Sequence, residues 1–281
     1  MNRREFVQGV GAAFAAAPFA LRGDRTAPPA RLQRIGLELY SIRDAMKADP
    51  EGTLSKVKLM GYNDVELLWS FSNFDRTPQQ VKAALDHEGL EAPSAHIAPE
   101  TLLKDWEKSL DTARFLGHKY LVVPSLPNET KMSLDDWHEW ADRFNNAGQL
   151  ASKAGVWLAF HNEPEHLKPI GGKVPLDLFI QWTDPSVVRH QLDIGNMIMG
   201  GGDPMAYLRK YADRYGSFHI KDITADHKSD IELGKGSLDI KAFLGAVRDI
   251  NDKPCYVEQE GLAHSLDSAA QNYLYLKGLE F

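Results

Sequence analysis

A chain of 281 residues with 43% apolar and 25% charged residues carries enough hydrophobic side chain for one large core and too little polar bias for disorder. Its net charge of -7 gives a polyanion no electrostatic footing, which argues against nucleic acid as a partner. The lone cysteine, Cys255, excludes an internal disulfide and a thiolate-based zinc centre. No Pro/Gly/Ser-rich linker or shift in composition divides the chain, so a single domain follows.

The first residues differ from the rest. Asn2-Arg3-Arg4-Glu5-Phe6 precedes an apolar, alanine-rich stretch from Val7 to Ala20 that closes on the small-residue run Ala17-Pro18-Phe19-Ala20. The stretch falls short of the roughly 18 apolar residues that span a bilayer, and it resembles a twin-arginine export signal. The expected organisation is a signal and linker over residues 1–30, then one globular unit over 31–281, exported to the periplasm or beyond. No stable membrane insertion is expected once the signal is cleaved, and association of the chain with itself stays open.

Beyond residue 31, strand-like apolar runs alternate with amphipathic helical patterns. The expected strands are Ile35–Tyr40, Asp64–Leu68, Ala92–His96, Tyr120–Val123, Val156–His161, Val188–Asp193, Ser217–Ile220 and Cys255–Glu258. The expected helices are Pro50–Met60, Pro78–His87, Trp106–Leu116, Leu134–Ala154, Pro175–Trp182, Pro204–Tyr211, Ile240–Ile250 and Ser265–Leu276. Gly61, Gly89, Gly117 and Gly155 stand where helices should end, as C-cap glycines. Strand-helix units repeated in this way match an α/β fold of the (β/α)8 TIM-barrel type better than a doubly wound open sheet, which has fewer strands. No glycine-rich phosphate fingerprint follows the first strand.

Active sites of such barrels lie at the carboxyl ends of the strands, and the strand ends here are rich in ionisable groups. They are Glu38 and Tyr40, Glu66, His96, His161 with Glu163, Asp193, His219 with Lys221, and Glu258 with Glu260. One such residue is ordinarily a satisfied structural group; this many at one rim would be costly to desolvate without a purpose. The last four strands supply the strongest subset: His161 or Glu163, Asp193, His219 and Glu258. A mixed carboxylate and imidazole sphere of this kind suits one divalent ion, Mn²⁺, Mg²⁺, Co²⁺ or Zn²⁺.

Several strings carry a resemblance. Asp193-Ile194-Gly195-Asn196, Phe218-His219-Ile220-Lys221-Asp222, Glu232 to Gly236 and Val257-Glu258-Gln259-Glu260 resemble the sugar phosphate isomerase/epimerase family, the xylose isomerase-like TIM barrels. So do Leu39 to Asp44, Gly61-Tyr62, Val65-Glu66 and Ser94-Ala95-His96 upstream. The resemblance implies a metal held by a strand-five residue with Asp193, His219 and Glu258, and a small-molecule carbohydrate bound by Glu66, His96 and Lys221, with Tyr40 and Glu38 at the same rim. It implies removal of the proton beside a sugar carbonyl, through an enediolate that a cation stabilises. Glu163 and Glu258 are then the acid and base, and Lys221 neutralises oxyanion charge.

Strand five departs from the family pattern, in which a glutamate both binds metal and takes the proton. Here His161 stands near that place and Glu163 lies two residues on, so either is able to reach the metal. The expected activity is an isomerase or epimerase. β-Elimination from a 3-keto-glycoside or a keto-inositol, by a lyase or hydratase, is an alternative that uses the same chemistry. A non-catalytic sugar-binding barrel is another. A barrel endonuclease is disfavoured by the acidic charge. Trp69, Phe71, Phe74 and Trp106 are candidates for an apolar wall against a sugar ring, with loop packing equally expected. Gly200-Gly201-Gly202 is expected as a flexible connection, and His87, His118, His138 and His190 as surface residues.

Overall fold

Runs such as Asp64–Leu68 and Tyr215–Ile220 are buried along their whole length, because a parallel strand in this fold has the barrel interior on one face and helices on the other. The computed structural model describes residues 30–261 and 265–281; the expected export signal lies outside the described residues. Eight parallel strands close into a barrel: β1 (Gly36–Glu38), β2 (Asp64–Leu68), β3 (Glu91–His96), β4 (Tyr120–Val123), β5 (Trp157–His161), β6 (Val188–Asp193), β7 (Tyr215–Ile220) and β8 (Cys255–Val257). β1 closes the ring against β8, with Gly36 opposite Tyr256. The α/β fold read from the sequence is therefore the observed one, a single (β/α)8 TIM barrel.

Sequence explains the helical coat locally. In Leu134–Lys153, Ser133 and Asp136 form a capping box, and Trp137, Trp140, Ala141, Phe144, Ala147 and Ala151 recur at helical spacing on the buried face. That face meets Phe160 of β5 and Phe179 of the helix Pro175–Trp182, with Phe144 and Phe179 edge to face at 5.1 Å. Gly61 ends its helix at a φ of 110°, a conformation that glycine adopts without steric cost, and its N–H bonds Lys58. Among the described residues no helix is long and apolar enough to cross a membrane.

The differences from expectation have local causes. β1 stops at Glu38 because the Glu38 carboxylate accepts from the Tyr40 N–H and turns the chain into the 3-10 segment Leu39–Ile42. The helix expected to reach Ile250 ends at Ala246, and Asp249 then takes a left-handed conformation. Four consecutive residues, Ser72, Asn73, Phe74 and Asp75, have φ between 46° and 61°, a left-handed turn without glycine. His118 and His190, expected at the surface, are buried: the His118 ring bonds the Ala92 carbonyl, and His190 lies edge-on to Phe179 beneath the helical coat. Gly200 and Gly202 form a packed turn, not a flexible link, for a Cβ on Gly200 would stand 2.5 Å from Leu167 Cδ1.

Candidate active site

Side chains alternate across a strand, so Gln191 and Asp193, Ser217 and His219, Tyr256 and Glu258 form inward pairs, one member deep and one at the mouth. The barrel brings His161, Asp193, His219 and Glu258 together, with one ligand atom from each lying within 4.8 Å of all the others. His161 Nε2 is 3.7 Å and His219 Nδ1 3.9 Å from Asp193 Oδ2, and His219 Nδ1 is 2.8 Å from Glu258 Oε2.

The hydrogen bonds show what this cluster fits. Asp193 uses Oδ1 to cap the short helix Ile194–Met199 by accepting from the Asn196 N–H at 2.7 Å, while its buried Oδ2 has no hydrogen-bond partner and faces the Lys221 ammonium at 3.3 Å. Both ring nitrogens of His161 are buried without a hydrogen bond. A buried imidazole left unbonded costs free energy, and a divalent cation matches a set of two imidazoles and two carboxylates. A second group, Glu38, Glu66, His96 and His219, is also close enough to share an ion. It is already satisfied internally: Glu66 accepts from Ser94, Gln191 and His219, and only Glu38 Oε2 lacks a partner.

Glu38 and Glu66 were expected to contact substrate; both are fully buried, and neither lines the mouth. Glu66 instead receives the His219 Nε2–H at 2.5 Å, which turns His219 Nδ1 toward Asp193 and Glu258. Burial would raise the Glu66 carboxyl, but His96 and His219 override it and hold it far below the usual carboxylate range. Burial likewise opposes charge on His219, yet Glu258 and Glu66 raise it to about 10. Burial lifts Asp193 to about 7 despite Lys221 beside it. Glu66→Gln keeps the volume but weakens this orientation. It is expected to reduce zinc or manganese affinity by about 10- to 100-fold, read by competition with a chromophoric chelator while circular dichroism stays unchanged.

Lys221 is buried, with Nζ 3.3 Å from Asp193 Oδ2, 3.2 Å from Glu258 Oε2 and hydrogen-bonded to Glu260. Its stem passes over Gly195, where a Cβ would stand 2.6 Å from Lys221 Cγ. That passage accounts for the glycine in Asp193-Ile194-Gly195. Glu163 lies just beyond β5, 30% exposed, taking a bond from Asn196 Nδ2 at 3.0 Å on one oxygen, with the other 3.7 Å from His161 Nδ1. Burial raises its carboxyl well above the usual range; Lys221 pulls the other way, and Glu258, Glu260 and Asp193 add to the rise.

The mouth has two lobes. One, of about 630 Å³, is polar, with Arg43, Asn196, Lys221, Lys228 and Asp230 on its walls. The other, of about 340 Å³, is walled by Tyr40, Leu68, Phe71, Ile97 and Pro124, with His96 and Glu258 at its base. Glu163 and Glu260 line both. Of the aromatic candidates only Phe71 joins Tyr40 here: Trp106 is buried in its helix and donates to Ala147, Trp69 packs on His118, and Phe74 is buried.

Glu260, counted with Glu258 among the ionisable groups at the strand ends, was given no role in the sequence reading, although Val257-Glu258-Gln259-Glu260 places it on the same alternation as Glu258. A hairpin, Asp222–Ile223 with Asp230–Ile231, fixes it: Asp230 accepts from the Glu260 N–H and from the Gly261 N–H at 3.1 Å. Asp222 in turn accepts from the N–H groups of Ile223, Gly234, Gly236 and Leu238, which folds the Glu232 to Gly236 string onto the hairpin. Asn196 and Gln191 were also unflagged.

A closed parallel barrel with ionisable side chains gathered at the carboxyl ends of its strands defines the class of barrel enzymes. Residues 54–280 match the model of the xylose isomerase-like TIM barrel, and the chain belongs to that family. Among known relatives, an inosose dehydratase of Clostridium beijerinckii is 26% identical over 221 residues, 71% of this chain and 70% of its own length. The crystal structure of a sugar phosphate isomerase/epimerase from Parabacteroides distasonis superposes with a TM-score of 0.75 at 26% identity, over 90% of this chain and 95% of that one. The IOLI protein with a bound zinc atom shares the fold at a TM-score of 0.69 and 14% identity, over 88% of this chain and 99% of its own.

Proposed function

We propose that this protein is a metal-dependent lyase acting beside a sugar ketone: it removes the proton on the adjacent carbon and expels the substituent one carbon further on. The observation that carries this reading is the convergence of His161, Asp193, His219 and Glu258, with both His161 nitrogens unbonded, behind a mouth that Glu258 and Glu163 line. A divalent cation held by those four residues supplies Lewis-acid stabilisation of negative charge on a keto oxygen. The zinc in the IOLI protein supports a cation of this type.

Glu163 takes the proton, since a carboxyl raised by burial is a stronger base than a solvated one. Asn196 fixes the carboxylate plane through Oε2, and Lys221 lends positive charge to the enediolate that forms. The electron pair left on carbon then expels the β-substituent, which departs with its bonding electrons and takes up the proton that Glu163 removed, since Glu163 lines both lobes. His96, at the base of the apolar lobe, is oriented by Gln191 Oε1 at 2.9 Å and is placed to hydrogen-bond the substrate.

The dehydratase relative supports elimination, and the isomerase/epimerase likeness supports epimerisation by the same first step. Elimination is favoured by the two-lobed mouth, which has room for a departing group that epimerisation of a free sugar does not need. We place the activity outside the cytoplasm, on the paired arginines and apolar stretch of residues 2–20.

The test is incubation of zinc- or manganese-loaded protein with 3-keto-glycosides, keto-inositols and free ketoses in D2O. Release of the substituent with an unsaturated ketone as co-product is the expected result. A deuterated epimer without release would select the second reading, and neither release nor exchange with any substrate would overturn both.

A further inference from the structure

We propose that the substrate has two parts: a polyhydroxylated ring seated in the polar lobe, joined through the bond that breaks to a leaving group whose apolar ring fills the lobe of Tyr40, Leu68, Phe71, Ile97 and Pro124. The proposal rests on the lyase reading and adds to it a class of substrate, glycosides with an aromatic or similarly apolar aglycone.

Glu163 and Glu260 are the residues common to the walls of both lobes, so a molecule occupying both would lie against these carboxylates. The walls differ in chemistry. Arg43, Lys228 and Asp230 offer donors and acceptors that suit ring hydroxyls, whereas the second lobe offers aromatic and aliphatic surface of a volume within the range that holds small organic groups. That apolar surface is held in place. The Tyr40 ring lies under the Arg43 guanidinium at 4.2 Å and meets the Phe71 ring nearly at right angles at 5.8 Å.

The backbone that delivers Phe71 gives an independent sign. Directly after it come the four left-handed residues Ser72 to Asp75, a conformation that costs an L-residue about 1–2 kcal/mol. Phe74, buried at 7% exposure, anchors the turn. Backbone strain of this kind persists where the surrounding structure fixes it and gathers at ligand sites. Here the left-handed turn directly follows an aromatic ring that stands half-exposed on the wall of the lobe.

The test reads binding without turnover, using methyl and phenyl β-glucosides, which lack the ketone and do not react. Calorimetry on the metal-loaded protein is expected to show the phenyl glucoside binding at least about tenfold more tightly than the methyl one, consistent with burial of one ring. Phe71→Ala is expected to shrink that ratio below about threefold. Should this variant fail to fold, Ser70→Arg, at an exposed position on the edge of the lobe, blocks it from outside and is expected to erase the same ratio. Equal affinities in the wild type, or a ratio unchanged in a folded variant, would overturn the proposal. Failure of the lyase reading shows separately, as no release of the substituent from any of the ketone substrates.

Discussion

Asp193→Asn is expected to strip the protein of tightly bound zinc or manganese and to lower turnover by about a thousandfold or more, the scale of losing a stabilising charge at a reacting oxygen. The substitution is close to isosteric, and the amide oxygen is still able to cap Ile194–Met199. The change falls on Oδ2, a buried atom without a hydrogen bond and 3.3 Å from Lys221 Nζ, where an amide NH2 would face His161 Nε2 and repel a cation. Metal content by elemental analysis and turnover on the best substrate measure the loss, and an Asn variant that kept both would remove Asp193 from the site. Acidity gives a further readout. In the cation-free protein a proton is held on His219 up to about pH 10, and Asp193 gains one below about 7, so cation uptake must displace protons. Affinity therefore rises with pH through neutrality, with protons released in calorimetry across buffers of different ionisation enthalpy.

Glu163→Gln separates binding from chemistry. Loss of a positioned base is expected to slow exchange of the substrate proton with solvent by about 10²- to 10⁴-fold. Cation affinity should change little, because His161, Asp193, His219 and Glu258 form the ligand cluster without Glu163. The glutamine preserves side-chain length and stays within reach of Asn196. A large fall in metal content would instead make Glu163 the ligand from the strand-five end, the role that the sequence left open between it and His161. Unchanged exchange would pass the base to another group, with Glu260 first in line.

The barrel was legible because its signals are local. Alternation of apolar runs with amphipathic helices, and glycines such as Gly61 that end helices with positive φ, need no knowledge of distant contacts. Convergence of Asp193, His219 and Glu258 was legible as well, since every strand of a closed parallel barrel delivers its last inward residue to the same mouth. The partners of the buried carboxylates were not legible. Period-two alternation tells which face Glu66 occupies but not that Ser94, Gln191 and His219 take up its oxygens. His190 misled for a related reason: the outer face of a parallel strand is as dry as the inner one when helices cover it. The left-handed turn after Phe71 left no trace in the sequence, because no glycine marks it.

Asp222 touches neither the cation cluster nor either lobe, yet its carboxylate gathers four backbone N–H groups and leaves so little room that a Cβ on Gly236 would collide with it at 2.1 Å. Because the same hairpin carries Asp230, and Asp230 sets where Glu260 stands, the shape of the entrance is governed from outside. Selection, or an engineer, is thereby given a remote handle: altering the hairpin moves Glu260 and with it the entrance, while His161, Asp193, His219 and Glu258 keep their places on the barrel strands.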